Sequence, residues 1–539
     1  MKTSLNYIMR LVAAVVCFCI VATSCGESSR EEILKVYNWG DYIDEDLLVE
    51  FEEWYEQQTG CPVSVIYQTF DINEVMLAKI EKGEADFDVV CPSEYIIERM
   101  MRNNLLHPIV DESVVADFER TGTENYLGCV SPYIRNQFDH IITPEPGLNA
   151  NDYSVGYMWG TTGILFNTEN VTTEEAMSWN LMFDDRLEGK ILVKDAFRDV
   201  FSPMLVYAMT VELRQAGLLG ENDTLPLNDA AAEERGLLGV VPTIEELMYD
   251  ASDESIAHVE EYLKRMKRLV AGWEADFGKE MMTQNKAWIN LMWSGDAVWA
   301  IEEAAEVGVS LDYVVPEEGS VVWFDGWVIP KYAKNLRAAR YFINYMCMPE
   351  NAVRNMDATG YVSVVASAET LDAMEVLNPV LAEIESVGAE LEECEDRDAA
   401  EELRATLAEL EAERDAIVEI GASDLSYFFK SEDGSPLCFV DEDGYEVRAD
   451  SVFVDPILYP DLSVINRCAM MHDSGEQTDK MLEMWSRVKG DNLSPTMLIF
   501  IIVSFLIILV WGVWRKVDAY RKKQAMLKRR RHAQRKQQK

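Results

Sequence analysis

Aromatic and acidic side chains recur in short groups at six places in this chain: Trp39-Gly40-Asp41-Tyr42, Ser93-Glu94-Tyr95, Asp195 with Asp199, Trp293-Ser294-Gly295-Asp296, Trp323-Phe324-Asp325 and Gly360-Tyr361. Two chemistries use such groups. Paired carboxyls can act as general acid and base, and Asp195 with Asp199, or Asp325, would then serve a hydrolase. Alternatively, carboxylates accept hydrogen bonds from ammonium groups while ring faces cover the methylenes between them and attract the charge. A cation enclosed without counter-charge is strongly disfavoured, so the acids are required by the second chemistry. The chain has no serine-centred nucleophile elbow, no histidine spacing suited to a metal and only five His. The residues therefore favour binding of a flexible organic polycation over catalysis, with no cofactor and no metal.

Most of these groups follow predicted strands. Hydrophobic patterning predicts a strand over 34–39, a helix over 45–58, a strand over 63–67, a helix over 72–81 and a strand over 87–90. This β-α-β-α-β order belongs to an open α/β sheet, whose ligands sit beyond the carboxyl ends of the strands. Trp39 and Ser93 each follow such a strand. A Leu-, Ala- and Glu-rich region interrupts the alternation. Leu377, Leu381 and Ile384 before Gly388, then Leu403, Leu407, Leu410, Arg414 and Ile417, step by three and four and predict a helical hairpin. The turns Ser431-Glu432-Asp433-Gly434 and Asp441-Glu442-Asp443-Gly444 predict a small β element after it. Together these form an insert over 370–450, expected to be dispensable for binding.

The formal charge is −47 over 539 residues, yet residues 515–539 hold 12 Lys or Arg and one Asp, so the body is more acidic still. Such a body disfavours nucleic acid and attracts cations. Residues 1–24 read as an export signal, and Val21-Ala22-Thr23-Ser24-Cys25-Gly26 resembles a lipoprotein cleavage site with Cys25 as the lipidated residue. Residues 493–514 carry no charge, and 22 residues at about 1.5 Å each are long enough for one transmembrane helix. The basic tail that follows predicts a cytoplasmic C-terminus and an extracytoplasmic body on the bacterial inner membrane. Setting aside Cys17, Cys19 and Cys25 leaves seven cysteines without regular spacing, and no disulfide framework is expected.

The blocks VYNWGDYIDEDLLVEFEEWYEQQTG, FDVVCPSEYIIERM, NDYSVGYMWGTTGILFN, WSGDAVWA, SVVWFDGWVIP, ATGYVSV and LYPDLS resemble, in order, the spermidine/putrescine-binding proteins of ABC importers. The resemblance covers about residues 32–365 and 455–487. It implies a two-lobed (type II) binding-protein clamshell, with a first α/β lobe over 32–157 plus 322–361 and a second over 158–321 plus 362–490. It also implies partners: spermidine or putrescine, and the permease subunits of the importer. Matching positions place Trp39, Asp41, Tyr42, Ser93 and Tyr95 of the first lobe against the ligand, with Trp293, Trp323, Asp325 and Tyr361 from the second lobe and the crossing segments. Asp199 matches one of the family's paired acids, Ala196 stands at the other, and Asp195 is one place away. A family glutamine falls near Met471. The insert and the apolar C-terminal segment lie outside the family pattern. A ligand-sensing ectodomain that signals through the membrane helix is the alternative function; its tail is too short for a catalytic signalling domain.

Overall fold

A computed structural model describes residues 30–83, 86–145, 147–275, 277–431 and 433–490, together with Val503. The expected signal 1–24, Cys25, the tail 515–539 and, apart from Val503, the apolar segment 493–514 lie outside the described residues. No helix among the described residues is long and apolar enough to cross a membrane. The chain divides into two compact units at Thr478 and Asp479. In the second unit, the described stretch is the remainder of a helix that runs over Thr478–Gly490.

The first unit is built on one mixed sheet. Its main strands are β1 (Ile33–Trp39), β2 (Ser64–Phe70), β3 (Val89–Val90), β4 (Ser154–Asn167), β5 (Ile191–Lys194), β6 (Val270–Glu274), β7 (Ile289–Trp293) and β8 (Ser320–Pro330), in spatial order β2–β1–β3–β8–β4–β7–β5–β6. The expected alternation is present at the start of the chain. Helix α1 (Asp46–Thr59) and helix α2 (Asn73–Glu81) connect β1, β2 and β3, with β1 parallel to both neighbours. Helix α1 buries Leu47, Leu48, Phe51 and Tyr55, and Phe51 meets Phe342 edge-on at 5.2 Å. It stops at Gly60, whose φ of 69° supplies the left-handed turn that ends a helix without a Cβ penalty.

A second parallel block, β6–β5–β7, mirrors the first. Between the blocks run β4 and β8, antiparallel to each other; β8 also pairs with β3, and β4 with β7. Every residue of β4 and β8 is buried. Strands with no solvent face mark the centre of a covered sheet. The β4–β8 register shifts between Asp325 and Gly326.

The insert forms helices α6 (Leu377–Glu393) and α7 (Arg397–Ile420), numbered after α3 (Glu94–Arg102), α4 (Phe197–Gln215) and α5 (Ser294–Glu306). Helix α6 continues through Gly388 rather than ending before it. The two helices bury only Val380, Ala400 and Leu410. The small β element pairs Cys438–Val440 with Glu446–Arg448 around the second turn signal, where Gly444 has φ 94°. The outer limits of the insert differ in character from its helices. Leu371, Leu425, Phe428 and Phe429 are fully buried, and Phe428 stacks on Trp159 of β4 at 5.2 Å. Only the α6–α7 hairpin is peripheral; the ends of the 370–450 range are part of the core, so that range as a whole is not a separable module.

Candidate functional site

Residues that follow β1 and β3 converge on one carboxylate of β8. Trp323 and Asp325 lie two residues apart on β8, so their side chains leave the same face of the strand. Asp325 is 6 % exposed, and its two oxygens accept hydrogen bonds from Ser93 Oγ at 2.6 Å and Tyr42 Oη at 3.0 Å. Ser93 occupies the N-cap of α3 but does not cap it with its side chain. A serine at that position ordinarily accepts from the first turn; here the hydroxyl is directed to Asp325 instead. Asn73 Nδ2 fixes this hydroxyl at 2.9 Å and also donates to Tyr95 Oη at 3.1 Å, and Tyr95 Oη donates to Glu74 at 3.2 Å. The aromatic side follows from packing: Tyr42 meets Tyr361 edge-on at 5.0 Å, and Tyr361 meets Trp323 edge-on at 5.7 Å. Two glycines make room for these rings. A Cβ on Gly160 would lie 2.6 Å from the Trp323 ring, and one on Gly295 would overlap the Tyr361 ring.

From the second block, α4 contributes Asp199, which accepts from Trp293 Nε1 at 2.9 Å. Burial raises the Asp199 carboxyl above its usual value, although the Trp293 bond and the charges of Arg198 and Lys194 oppose that. Burial likewise raises Asp325 to about 7, against the Ser93 and Tyr42 hydrogen bonds and with help from the Asp199 charge. Glu74 and Glu94 are also raised, first by burial. Four neighbouring carboxyls thus hold their protons more tightly than in water, an effect led by burial and, at Glu74, Glu94 and Asp325, reinforced by like charges.

Asp296, singled out beside Trp293, is engaged internally. It pairs with Lys194 at 2.7 Å and Lys279 at 3.3 Å, and Tyr361 donates a hydrogen bond to it. Burial opposes ionisation, but these lysines hold its carboxyl below the usual range. Fully buried Lys194 also contacts Glu274 at 3.4 Å and lies 4.4 Å from the centre of the Trp293 ring.

Tyr42, Ser93, Tyr95, Asp199, Trp293, Trp323, Asp325 and Tyr361 therefore form one connected neighbourhood. Trp39 and Asp41 stand apart from it. Trp39 is half-buried and packs on Phe70 at 4.5 Å. Asp41 is exposed, in a left-handed conformation with φ 50° that Asp tolerates better than most residues. Asp195 is half-buried, and its backbone N–H donates to Glu274 O at 2.7 Å. The sequence reading named Glu94 only within the Ser93-Glu94-Tyr95 group and left it out of the ligand set, and it missed Glu74, Lys194 and Arg198. Arg198 is 3 % exposed, sits 5.5 Å from the Tyr95 ring centre and donates to His472 O and Ser474 Oγ. Only its place beside Asp199 hinted at this. Near Met471, the segment continues to His472, whose Nδ1 lies 2.9 Å from Glu98 of α3.

Comparison with known proteins supports this architecture. Residues 50–378 match the family described as bacterial extracellular solute-binding protein. The chain is 27 % identical over 356 residues to the spermidine/putrescine-binding periplasmic protein of Salmonella typhimurium, covering 66 % of this chain and 84 % of that one. It is 27 % identical over 387 residues to the putrescine-binding periplasmic protein PotF of Escherichia coli, covering 69 % and 89 %. A solved chain from Listeria monocytogenes, described as a spermidine/putrescine ABC transporter, superposes with a TM-score of 0.54 at 25 % identity, covering 85 % of this chain and 99 % of that one. The α/β sheet is thus that of a two-lobed binding-protein fold, and the chain belongs to the bacterial extracellular solute-binding protein family.

Proposed function

We propose that this protein binds a polyamine, spermidine or putrescine, and delivers it to the permease of an ABC importer, without catalysing a reaction. The observation that carries this reading is the buried Asp325 carboxyl, held by Ser93 and Tyr42 and flanked by Trp323 and Tyr361. Burial first, and then the Asp199 charge, raise its proton affinity; an alkylammonium would supply a compensating charge while the rings cover its methylenes. Asp199 with Trp293 offers a second acid-aromatic pair in the opposite lobe, suited to another ammonium. A sugar lacks the charge, and an anionic solute would meet four carboxyls. The names of the relatives favour the same ligand class.

On this reading Trp39, Asp41 and Asp195 serve the rim, and the lobes divide near 157 and 321, with 362–490 returning to the second. The lipid at Cys25 and a transmembrane helix over 493–514 hold the body on the extracytoplasmic face, with 515–539 in the cytoplasm. A thermal-shift panel tests the ligand class: putrescine and spermidine raise the melting temperature, whereas sugars and acidic amino acids leave it unchanged. Stabilisation by the latter and none by the amines would sink the proposal.

A further inference from the structure

Glu94 is the first residue of α3 and is fully buried. An acid at a helix start is normally a solvated partner of the helix dipole. Here β8 covers it: Phe324 N donates to its Oε2 at 2.9 Å, one residue before Asp325, while the preceding Ser93 holds Asp325 itself. Its other oxygen, Oε1, is buried with no hydrogen-bond partner among the described residues. The charged groups facing Glu94 are Asp325 from β8 and Asp199 and Arg198 from α4. Two of the three are acids. Arg198 directs hydrogen bonds to His472 O and Ser474 Oγ and does not satisfy Oε1. A glutamine would serve the Phe324 N–H equally well, so the backbone contact does not explain why the residue is an acid.

We propose that Glu94 is a further specificity-determining residue of this site, a second carboxylate beside Asp325 whose Oε1 receives an ammonium of an alkyl diamine or longer polyamine. The inference rests on the amine reading above and adds to it a reason to prefer diamines over monoamines. Burial first, then the nearby acids, raise the Glu94 carboxyl well above its usual value. An arriving ammonium favours the ionised carboxylate, so the fraction of Glu94 that holds a proton gives it up to solvent as the cation binds.

The test is calorimetry of the full chain in detergent, with putrescine and with 1-aminobutane, in two buffers of different ionisation enthalpy. Glu94→Gln keeps the acceptor for Phe324 N and loses only the charge. The expected results are a loss of at least tenfold in putrescine affinity, a putrescine-to-aminobutane ratio narrowed by a similar factor, and fewer protons released per ligand bound. The melting temperature without ligand should equal or exceed that of the wild type, because an uncompensated buried acid is gone. Putrescine affinity within threefold of the wild type, unchanged proton release, or a variant that fails to fold would each overturn the inference. A wild-type chain that binds neither amine refutes the amine reading itself, an outcome separate from any effect of the substitution.

Discussion

Neutralising Asp325 should weaken ligand binding and stabilise the empty protein at the same time. Burial raises its carboxyl from the ordinary 3.8 to about 7, a difference equivalent to roughly 4 kcal/mol. The folded state binds this proton more tightly than the unfolded chain does. Its contribution therefore favours folding below the unfolded value near 4 and is lost as pH rises through about 7. In Asp325→Asn the group is always neutral, so at pH 8 the ligand-free variant should be more stable by up to roughly 4 kcal/mol. Binding responds in the opposite sense. With a carboxyl near 7, about one molecule in ten is ionised at pH 6 and about nine in ten at pH 8, so Asp325 alone should improve putrescine affinity about tenfold between them. Asparagine removes that gain and leaves an enclosed ammonium without its counter-charge, at a cost of about 3–5 kcal/mol, or roughly 10²- to 10³-fold in affinity at pH 8. Calorimetry at pH 6 and 8 at fixed ionic strength, with denaturant melts of the ligand-free proteins, measures both effects. If the variant bound within threefold of the wild type at pH 8 and was no more stable, Asp325 would be a structural residue and the cation would bind elsewhere.

Three further outcomes follow from the packing. Gly160→Ala brings a Cβ to 2.6 Å from the Trp323 ring and 2.5 Å from Ser294 Oγ, so titration should show at least tenfold weaker binding, with altered tryptophan fluorescence before ligand is added. Asp296→Asn leaves buried Lys194 with Glu274 at 3.4 Å as its remaining carboxylate, beside Ala275 O at 2.9 Å, and should cost about 3–5 kcal/mol of stability in a denaturant melt, more than a change at an exposed acid such as Asp41→Asn. Replacing residues 378–420 with a short Gly/Ser linker should leave putrescine affinity within threefold, whereas Phe428→Ala, in the fully buried base of the insert, should lower stability by about 3–5 kcal/mol; the two proteins are compared by calorimetry and melting.

Residues of the first lobe were legible because alternation and length report strand and helix directly. β1, α1, β2 and α2 lie within a few residues of where the pattern placed them. Trp323 and Asp325 were equally legible, since a spacing of two on a strand puts both on one face whatever surrounds them. Glu94 was not, because the same acid at the same helix start is exposed in one tertiary setting and buried in another, and only the approach of β8 decides. Lys194 was missed for a related reason. A lysine at the end of an apolar strand reads as its solvated terminus, yet Asp296 and Glu274, from distant parts of the chain, enclose it. The ends of the insert misled in the other direction, because turn signals and charge conceal Phe428 and Phe429 between them. Contacts that join residues far apart in sequence leave no local period to read.

The register shift between Asp325 and Gly326 falls where β8 carries the Asp325 carboxylate. Strands β8 and β4 lie between the two parallel blocks, β8 pairing with β3 on one side and β4 with β7 on the other. Asp325 is bonded to Ser93 and Tyr42 beside the first block, whereas Asp199 and Trp293 belong to the second. A ligand that touched both Asp325 and Asp199 would therefore cross-link the two blocks over the central strands.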